Sequence, residues 1–428
     1  MQREINTVAI VGSSGIMGSL TGGLIAQSGF KVYFFSRTVE RAESGLRRAI
    51  DQARSEVIKH NIVCCDYESF ESVLKNVDWI IECTSENLEL KIDMYEKIES
   101  YRKPESIVSS MTSSLPLTVL CQDRSEDFKK NFLGIHLFNP PTKMLLCEIA
   151  PQEYTDPEVV EYMSLFLRQR LNRVVVPVKN VPAYAGNRIG FLFLCEVAKL
   201  ATETGVEMMD YLIGPYTGRA MSPFSTIDIV GLDTYKAIIN SLYTYTNDVM
   251  HESFTVQDYI EKMIDIGHLG NKTPDKGGFY RRDIHKNKYV LNIESFDYKR
   301  QENIVVDFVE KTKDLIHTGR YKDAFNILKN KKADEADIIR KVLCTYISYS
   351  FLCAEEVIDK GHSIDGIDKV MAYGFNWAPP SVILHVLGGP AEIVELMKKY
   401  NIPVPFWIEN FRYNQNFIFN VGKYFIAR

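Results

Sequence analysis

Short apolar runs alternate with amphipathic segments through the first 180 residues. The runs are rich in branched or aromatic side chains and are bounded by polar or turn residues, as buried strands are. The segments between them, such as 41–60 and 89–100, have helical spacing. This alternation indicates βαβ units and a parallel sheet covered on both faces. The predicted strands are Thr7–Val11, Lys31–Ser36, Asp78–Glu82, Ser106–Ser110, Phe132–Phe138, Leu145–Ala150 and Arg173–Val178.

From Tyr184 onward the alternation stops and helical patterns dominate. Two segments there look related, because Gly205 to Pro223 and Gly361 to Pro379 both span eighteen positions. The shared interval suggests a duplicated helical unit, although two motifs of this size can also coincide by chance. We therefore predict a protein of the α/β class, in which an N-terminal α/β domain is followed by all-α C-terminal domains. The expected domains are 1–180, 181–300 and 301–428, with a lysine-rich helical connection at 311–333.

A glycine-rich turn follows the first predicted strand and precedes an amphipathic helix. Glycines in this context permit a tight turn, close approach of the backbone to a pyrophosphate, and close packing of helix on sheet. The helix N-terminus adds unpaired N–H groups and a positive dipole end. A bland turn explains many lone glycine motifs, but this position favours a Rossmann-type dinucleotide-binding domain. The turn has GxxGxxG spacing, one residue longer than GxGxxG, and comprises Gly12, Ser13, Ser14, Gly15, Ile16, Met17 and Gly18.

The end of the second predicted strand bears on the choice of cofactor. An Asp or Glu there would bind the ribose 2′-hydroxyl of NAD. This chain has Ser36, Arg37 and Thr38 instead, and a guanidinium with two hydroxyls suits a 2′-phosphate. Arg37 could also simply pack on the adenine or extend into solvent. We therefore expect NADP or NAD as the cofactor, with these residues favouring NADP.

A histidine and a carboxylate lie on two neighbouring apolar strands. His136 is near the end of one, and Glu148 follows twelve residues later within the run LLCEIA. A lone histidine on an apolar strand is more often a core residue than a base, but a buried carboxylate is costly without a partner. A His–Glu pair is therefore plausible, and the carboxylate would fix the imidazole tautomer and raise its basicity. Such a pair could accept the hydroxyl proton when an alcohol is oxidised.

Two further polar groups are candidates for the same site. The serines and threonine of residues 109–114 follow a predicted strand, so their hydroxyls are expected at the same edge of the sheet. Asn187 opens the first long helix after the α/β domain. Capping a helix or lining a loop is the simpler explanation for both.

Composition narrows the class of protein. The 428 residues are 46% hydrophobic and 25% charged, with a formal net charge of -5, so the chain offers no basic footprint for nucleic acid. No run of about twenty apolar residues predicts a membrane span. The eight cysteines form no CxxC pair or Cys/His cluster, so neither a disulfide framework nor a metal site is expected. The opening MQREINTVAIVG does not have the pattern of a signal peptide, and we expect a cytoplasmic protein.

Together, these motifs resemble the 3-hydroxyacyl-CoA dehydrogenase family. The resemblance covers residues 5 to about 282 in the correct order, and the second helical segment again resembles the C-terminal domain of the family. The matching segments are GIMG (15–18), ECTSENLELK (82–91), SSMTSSLP (109–116), GIHLFNPP (134–141), CEIA (147–150), GNRIG (186–190), MSPF (221–224), IDIVGLD (227–233) and LGNKTPDKGGFY (269–280).

The resemblance implies roles for individual residues. His136 would be the catalytic base, Glu148 its orienting partner, and Ser113 and Asn187 would hold the substrate oxygen. Lys59 falls where a lysine meets the phosphates of CoA, by a weaker alignment. The family contacts the cofactor at the positions of Glu86, Lys91, Ser113, Asn139 and Lys272.

The chain also departs from the usual pattern of the family. Its glycine turn is longer, its second strand ends without Asp, and Met111 stands where Asn is usual. The usual Pro-Gly-Phe is replaced by Pro182, Ala183 and Tyr184. These departures affect the choice of cofactor and substrate more than the His–Glu chemistry. A second helical copy is similar to long members of the family, where it occupies the place of a partner subunit, so both a monomer and a homodimer are compatible with the sequence.

Three functions are compared on this basis. The leading hypothesis is reversible oxidation of an (S)-3-hydroxyacyl-CoA to the 3-oxoacyl-CoA, as in fatty-acid metabolism. A second keeps the chemistry but changes the substrate to a free or carrier-bound 3-hydroxy acid. A third is a non-catalytic dinucleotide-binding protein on the same fold, because fold does not fix function. The joint presence of Ser113, His136, Glu148 and Asn187 favours an enzyme.

Overall fold

The computed structural model describes residues 3–358, 363–412 and 421–427. These residues form two compact units. The first contains the described residues among 1–184, 357–362 and 373–375. The second contains the described residues among 185–356, 363–372 and 376–428, and so includes both predicted helical segments. A boundary at residue 300 between those two segments stays a prediction.

An eight-stranded sheet runs through the first unit. Its strands are β1 Thr7–Val11, β2 Lys31–Ser36, β3 Ile62–Asp66, β4 Trp79–Glu82, β5 Ile107–Ser110, β6 Phe132–Leu137, β7 Leu146–Pro151 and β8 Val174–Pro177. They lie in the order β3-β2-β1-β4-β5-β6-β7-β8. The parallel strands β1 to β6 have the order 3-2-1-4-5-6 of dinucleotide-binding folds, which confirms the predicted Rossmann-type architecture. Their carboxyl ends share one edge, where ligands bind in this fold.

The last two strands differ from the predicted parallel arrangement. β7 runs antiparallel to β6, and β8 runs parallel to β7. Only residues 138–145 connect β6 to β7. A parallel neighbour would need a crossover of a dozen residues or more, so the short connection forces the chain to turn back.

Helices cover the sheet and bury its apolar faces. Phe166 of the last helix contacts the rings of Phe30 and Trp79, at centroid distances of 5.2 and 5.8 Å. Aromatic pairs at such distances add to the stability that burial of their area provides. The helices of this unit are α1 Ile16–Gln27, α2 Val39–Ala53, α3 Phe70–Val73, α4 Leu88–Tyr101, α5 Leu117–Cys121, α6 Glu126–Lys130 and α7 Pro157–Gln169.

The segment 41–60, predicted as one helical pattern, is interrupted. α2 ends at Ala53 because Arg54 adopts a left-handed conformation, with φ of +50°. A short 3-10 helix follows at Glu56–Asn61, and β3 comes next, a strand that the sequence did not predict. Lys59 therefore lies on the 3-10 helix and not at the end of a long helix. Its ammonium is exposed and forms an ion pair with Glu56 at 3.1 Å.

The second unit is mainly helical, as predicted. Its helices are α8 Gly186–Thr204, α9 Val206–Leu212, α10 Pro223–Val230, α11 Leu232–Tyr245, α12 Asp258–Asp265, α13 Asp307–His317, α14 Tyr321–Asn330, α15 Asp334–Val357, α16 Ser363–Val370, α17 Pro380–Val386 and α18 Pro390–Lys399. The segment 311–333 is largely helical, as expected. A small antiparallel sheet was not predicted; its strands are β9 Tyr280–Arg282, β10 Lys288–Leu291 and β11 Tyr298–Arg300. A π-helical turn, Met371–Phe375, follows α16.

The two predicted repeat copies contain the same structural device. In the first, Asp210 accepts a hydrogen bond from the N–H of Phe224 at the start of α10, at 2.9 Å. In the second, Asp368 accepts one from the N–H of Ser381 at the start of α17, at 3.1 Å. Each buried carboxyl group thus accepts a hydrogen bond from a free N–H group of a helix that begins with proline. The duplication itself stays a prediction, and Gly361, which helped to suggest it, lies outside the described residues.

Three findings bear on membranes, metals and disulfides. Within the described ranges, no single helix is long and apolar enough to cross a membrane; α17 and α18 together reach that length and composition, with a bend of 93° between them. No group of three or more His, Cys, Asp or Glu in the described part of the chain could hold a metal ion. All eight cysteines are free.

Asp368 should make the stability of the second unit depend on pH. Burial raises the pKa of this carboxyl to about 7. A raised folded-state pKa means that the stabilising contribution is complete below the unfolded pKa and is lost as the pH rises through about 7. Asp368→Asn keeps an acceptor for the Ser381 N–H and cannot ionise. We expect it to stabilise the protein by about 1–3 kcal/mol near pH 8 and by much less near pH 5.

Urea-unfolding midpoints across this pH range, followed by circular dichroism, measure the effect. The control is Asp365→Asn, the same change on the same helix at a partly exposed position. Parallel pH profiles for the wild type and Asp368→Asn would contradict the assignment.

Candidate active site

The glycine turn is tied to the ends of two strands. Gly12 has φ of +91°, and a Cβ atom there would lie 2.7 Å from the carbonyl oxygen of Cys83, just beyond β4. The N–H groups of Gly12 and Ser13 donate to the carbonyl of Phe35 in β2, at 2.9 and 3.0 Å. The backbone of the turn is therefore fixed in a conformation that favours glycine.

The rest of the turn brings α1 directly onto the loop. A Cβ atom on Gly18 would lie 2.5 Å from the carbonyl oxygen of Gly12, so no larger residue fits without a shift. Gly15 precedes α1, no side chain caps this helix in the described structure, and its first turn has no acidic residue. Its free N–H groups are therefore available to an anion. The residues present fit a dinucleotide pyrophosphate.

The additional residue of the turn is held from two sides. The hydroxyl of Ser36 donates to the hydroxyl of Ser14, at 2.9 Å. A guanidinium nitrogen of Arg48, on α2, donates to the carbonyl of Ser14, also at 2.9 Å. The longer spacing is thus part of an ordered loop. Arg48 was not singled out from the sequence, because nothing in a helical pattern shows which residue faces a distant turn.

The end of β2 has a neighbour that the sequence did not reveal. Ser36 is buried, whereas Arg37 and Thr38 are exposed. Asp66, at the end of β3, is the register partner of Ser36. The sequence predicted no carboxylate at the end of β2, but one stands on the adjacent strand. Its oxygen accepts hydrogen bonds from the N–H and hydroxyl of Ser69, at 3.1 and 2.8 Å.

A buried ion pair lies behind the edge at β4. The ammonium of Lys91 donates to both oxygens of Glu82 at 2.8 Å, and both side chains are almost completely buried. Glu82 also accepts hydrogen bonds from Tyr95 and Ser110, at 2.8 and 3.1 Å. Lys91, expected to contact the cofactor, is therefore engaged in the interior. Glu82 was not predicted as part of the site, since a carboxylate that ends an apolar strand gives no sign of its partners.

Glu86 extends this network to the loop after β5. Its carboxylate lies 3.7 Å from Lys91 and accepts hydrogen bonds from the hydroxyl of Ser114, at 2.7 Å, and the N–H of Ser113, at 3.2 Å. Burial opposes ionisation, but Lys91 and the hydroxyls of Thr112 and Ser114 outweigh it and hold the pKa of Glu86 below its ordinary value. Ser113 is partly exposed, and its hydroxyl makes no hydrogen bond to another described residue. That hydroxyl is available to a ligand.

His136 and Glu148 form a pair across two strands. Their Cα atoms are register partners in β6 and β7, and Nδ1 of His136 lies 2.7 Å from Oε2 of Glu148. The carboxylate is fully buried, and the histidine is 8% exposed. A buried carboxylate favours a proton on Nδ1, which leaves the lone pair of Nε2 for another molecule. The arrangement can therefore accept a proton at Nε2 and stabilise the imidazolium that results.

Aromatic rings surround the imidazole. Phe138 packs against it edge-on at a centroid distance of 4.7 Å, and Tyr184 lies at 5.6 Å. The phenol oxygen of Tyr184 lies close to the backbone of Gly134. A Cβ atom added to Gly134 would be only 2.6 Å from that oxygen. Burial, followed by the charges of Glu148 and Glu86, raises the pKa of Tyr184 well above its ordinary value, so the phenol stays neutral.

The replacement of Pro-Gly-Phe has a cost in backbone conformation. Ala183 and Tyr184 both have positive φ, +62° and +48°. The left-handed region costs about 1–2 kcal/mol for a residue with a Cβ atom. Tyr184 nevertheless holds this conformation, and its ring covers the face of β6 next to His136.

The loop after His136 is held by a buried arginine. Arg173 donates to the carbonyl of Pro141 at 2.6 Å and to that of Met144 at 3.1 Å. These contacts fix the turn between β6 and β7, and with it the register of the His–Glu pair. Asn139, expected to contact the cofactor, is exposed at the start of this turn.

Two predicted site residues belong to the second unit. α8 begins at Gly186 and is capped by Ala185, so Asn187 is its second residue and not its cap. Lys272 lies in the 3-10 helix Gly270–Lys272 and donates to Asp233 at 2.7 Å. Neither residue lines the cavity of about 890 Å³ found in this unit. Within the first unit, the structure brings His136 together with Glu148, and Ser113 together with Glu86.

Two models of protein families match this chain. The model described as 3-hydroxyacyl-CoA dehydrogenase, NAD binding domain, matches residues 7–181. The model described as 3-hydroxyacyl-CoA dehydrogenase, C-terminal domain, matches residues 184–282. Together, the two matches cover the segments that carry the sequence resemblance.

Individual relatives agree. A probable 3-hydroxyacyl-CoA dehydrogenase of Deinococcus radiodurans is 33% identical over 294 residues, which are 65% of this chain and 83% of the relative. Another, of Bacillus subtilis, is 28% identical over 437 residues and covers 96% of this chain. The chain spans only 54% of that relative's length. The crystal structure of 3-hydroxybutyryl-CoA dehydrogenase from Escherichia coli K12 has a TM-score of 0.67 at 19% identity, over 92% of this chain and 94% of that one, which shows a shared fold.

Two glycines of the turn should respond differently to the same substitution. Gly18→Ala places a Cβ atom 2.5 Å from the backbone oxygen of Gly12, whereas Gly15→Ala meets that oxygen at 3.3 Å. We expect Gly18→Ala to separate helix from loop and to weaken dinucleotide binding by about tenfold or more. Gly15→Ala should leave the fold intact. Fluorescence titration with reduced nicotinamide dinucleotide measures both, and unchanged affinity in Gly18→Ala would contradict this role of the turn.

Proposed function

The chain belongs to the 3-hydroxyacyl-CoA dehydrogenase family, and on this premise we propose that it oxidises an (S)-3-hydroxyacyl-CoA reversibly to the 3-oxoacyl-CoA. The observation that carries the proposal is the buried pair of His136 and Glu148, with Nδ1 and Oε2 2.7 Å apart. The pair lies near the carboxyl edge of the sheet, in the same unit as the glycine turn. The oxidation of an alcohol needs a base within hydrogen-bonding reach of its hydroxyl group, beside the nicotinamide.

The chemistry follows from the free nitrogen of the imidazole. In the oxidation, Nε2 of His136 accepts the proton of the 3-hydroxyl group, and the carbonyl forms at C3. A nicotinamide cofactor held at the glycine turn would supply the acceptor for the hydride that leaves C3. Glu148 stabilises the imidazolium and keeps the ring oriented without taking the proton itself. In the reverse direction, the same nitrogen returns the proton to the oxygen.

Other residues hold the reactants. The available hydroxyl of Ser113 suits a hydrogen bond to the substrate oxygen, and we assign Asn187 the same role by resemblance. Glu86, kept ionised by Lys91, can accept a hydrogen bond from a cofactor hydroxyl. Asn139, Lys272 and, for the CoA phosphates, Lys59 are assigned on the same basis.

Removal of the base should abolish most turnover and leave binding intact. We expect His136→Gln to lower kcat for the reduction of acetoacetyl-CoA by about 10²–10⁴. Glu148→Gln, which no longer holds the required tautomer and leaves the imidazolium without its counter-charge, should also lose about 10² or more. Steady-state kinetics measures the loss, and fluorescence titration checks that the dissociation constant of the cofactor is unchanged.

The matched control is His60→Gln, the same change at an exposed histidine of the first unit. Full turnover in His136→Gln would overturn the assignment of the base. Wild-type activity on free 3-hydroxybutyrate but not on the thioester would favour the free acid as substrate. Cofactor binding without oxidation of any hydroxyacyl thioester would indicate a non-catalytic protein.

We further propose that the enzyme prefers NADP(H) to NAD(H). Arg37 is exposed at the end of β2, and its guanidinium makes no hydrogen bond or ion pair with the described residues. The carboxylate of Asp66 stands at the end of the adjacent strand β3 and not at the end of β2, and its Oδ1 accepts both hydrogen bonds from Ser69. A 2′-phosphate would provide an anionic partner for the guanidinium of Arg37.

The choice of cofactor can be tested at a single position. We expect Arg37→Gln to lower kcat/KM for NADPH by about tenfold or more and to change that for NADH little, because only NADPH loses a charge-assisted hydrogen bond. The control is Arg41→Gln, at an exposed position in the first turn of α2. A wild-type enzyme that prefers NADH, or equal effects of Arg37→Gln on both cofactors, would overturn this preference.

We also propose that the protein works in a reducing compartment, the cytoplasm. All eight cysteines are free, and six of them are buried. Burial raises the pKa of Cys195, Cys344 and Cys353 to about 12 each, so these thiols remain protonated and unreactive.

A further inference from the structure

A short piece of the chain from far beyond the sheet belongs to the first unit. Tyr373–Phe375 are part of this unit, whereas residues 363–372 and 376 onward belong to the second. These three residues end the π-helical turn Met371–Phe375. Single π-helical turns are found frequently at functional sites. Their contacts within the first unit show what this one covers.

Gly374 and Phe375 pack against the two strands that carry the His–Glu pair. The ring of Phe375 contacts that of Phe138 at a centroid distance of 5.8 Å. The backbone of Gly374 lies so close that a Cβ atom there would be 2.7 Å from Cδ2 of Leu146 and 3.4 Å from the ring of Phe138. Glycine is therefore the residue that lets this turn approach the sheet.

The covered face is the one that carries the reactive pair. Residues two apart on a strand share a face, so Phe138 follows His136 and Leu146 precedes Glu148 on the same side. The ring of Phe138 lies between those of His136 and Phe375, at 4.7 and 5.8 Å. The turn thus forms a second layer beside the imidazole.

A second contact anchors this region of the chain to the first unit. The N–H of Lys179 donates to the carbonyl of Val357 at 2.8 Å, and Val178 forms a β-bridge with Ile358. Two separate pieces of the later chain, residues 357–358 and 373–375, therefore contribute to the first unit.

The position of a substrate follows from the imidazole. Its 3-hydroxyl group must approach Nε2 of His136, because Nδ1 is bound to Glu148. The acyl chain beyond C3 must then pass one of the rings beside the imidazole. On the side of Tyr184, the ring is almost completely buried, and its phenol oxygen packs against the backbone of Gly134. On the side of Phe138, the next group is Phe375, which remains partly exposed.

We propose that Gly374 and Phe375 form the wall that sets the acyl chain length the enzyme accepts, and that this wall favours short chains. The proposal rests on the proposed function, since it assumes a 3-hydroxyacyl substrate at His136. It makes Phe375 a specificity-determining residue, although it lies more than two hundred positions after the base.

Two substitutions of opposite size test the wall. Phe375→Ala opens space beside Phe138, and Phe375→Trp fills it. We expect Phe375→Ala to raise the ratio of kcat/KM for 3-oxooctanoyl-CoA to that for acetoacetyl-CoA by about tenfold or more, through a lower KM for the long substrate. Phe375→Trp should lower the same ratio. The KM of the cofactor should not change in either variant.

Controls separate this role from simple stability. Phe411→Ala removes another half-buried aromatic ring, one that packs on Phe351 and Trp407 in the second unit, and should leave the ratio unchanged. Phe375→Leu replaces Phe375→Ala if that variant does not fold. If kcat/KM changed equally for both substrates and Tm fell, Phe375 would have a structural role only, and the proposal that it sets chain length would be overturned. If the wild type were inactive on every hydroxyacyl thioester, both the proposed function and the proposal about chain length would be overturned. If the wild type were active but the ratio of kcat/KM values did not change in the Phe375 variants, only the proposal about chain length would be overturned.

Discussion

The candidate site is organised around one buried carboxylate, that of Glu148, which requires a partner. Glu148 lies among apolar neighbours with no exposed surface, and an unpaired charge there would cost several kcal/mol. Its partner, His136, is within reach only because β7 runs antiparallel to β6 with these two residues opposite each other. A slip of one residue would move Glu148 to the other face of the sheet. The short turn that Arg173 holds therefore serves the chemistry as much as the fold.

The sequence predicted the parts of the fold that have strong local patterns. The apolar runs located β1, β2, β4, β5 and β6, and the glycine turn located the start of α1. β3 was missed because α2 ends at Arg54 without a glycine or proline to mark the break. Asp66 was missed with it. The small sheet β9–β11 was also missed, since its strands have only three or four residues and are largely exposed.

Some features of the candidate site could likewise be predicted from the sequence, and others could not. The pairing of His136 with Glu148 was accessible from sequence, because a carboxylate in an apolar strand demands a partner. The Glu82–Lys91 pair was not, since it depends on how α4 packs against the end of β4. The contact of Phe375 with Phe138 depends on chain segments more than two hundred residues apart, which no periodicity reveals. Local pattern predicted the reactive group, and only tertiary structure showed its surroundings.

The late contribution of the chain to the first unit has a consequence for synthesis. A ribosome that has released residues 1–184 has already made the whole sheet, but Val357 and Ile358, which pair with the chain just beyond β8, emerge about 170 residues later. Domains generally fold as units during synthesis, N-terminal first. Until those residues and Phe375 have been made, the sheet lacks the bridge between Val178 and Ile358, and the ring of Phe138 lacks its contact with Phe375.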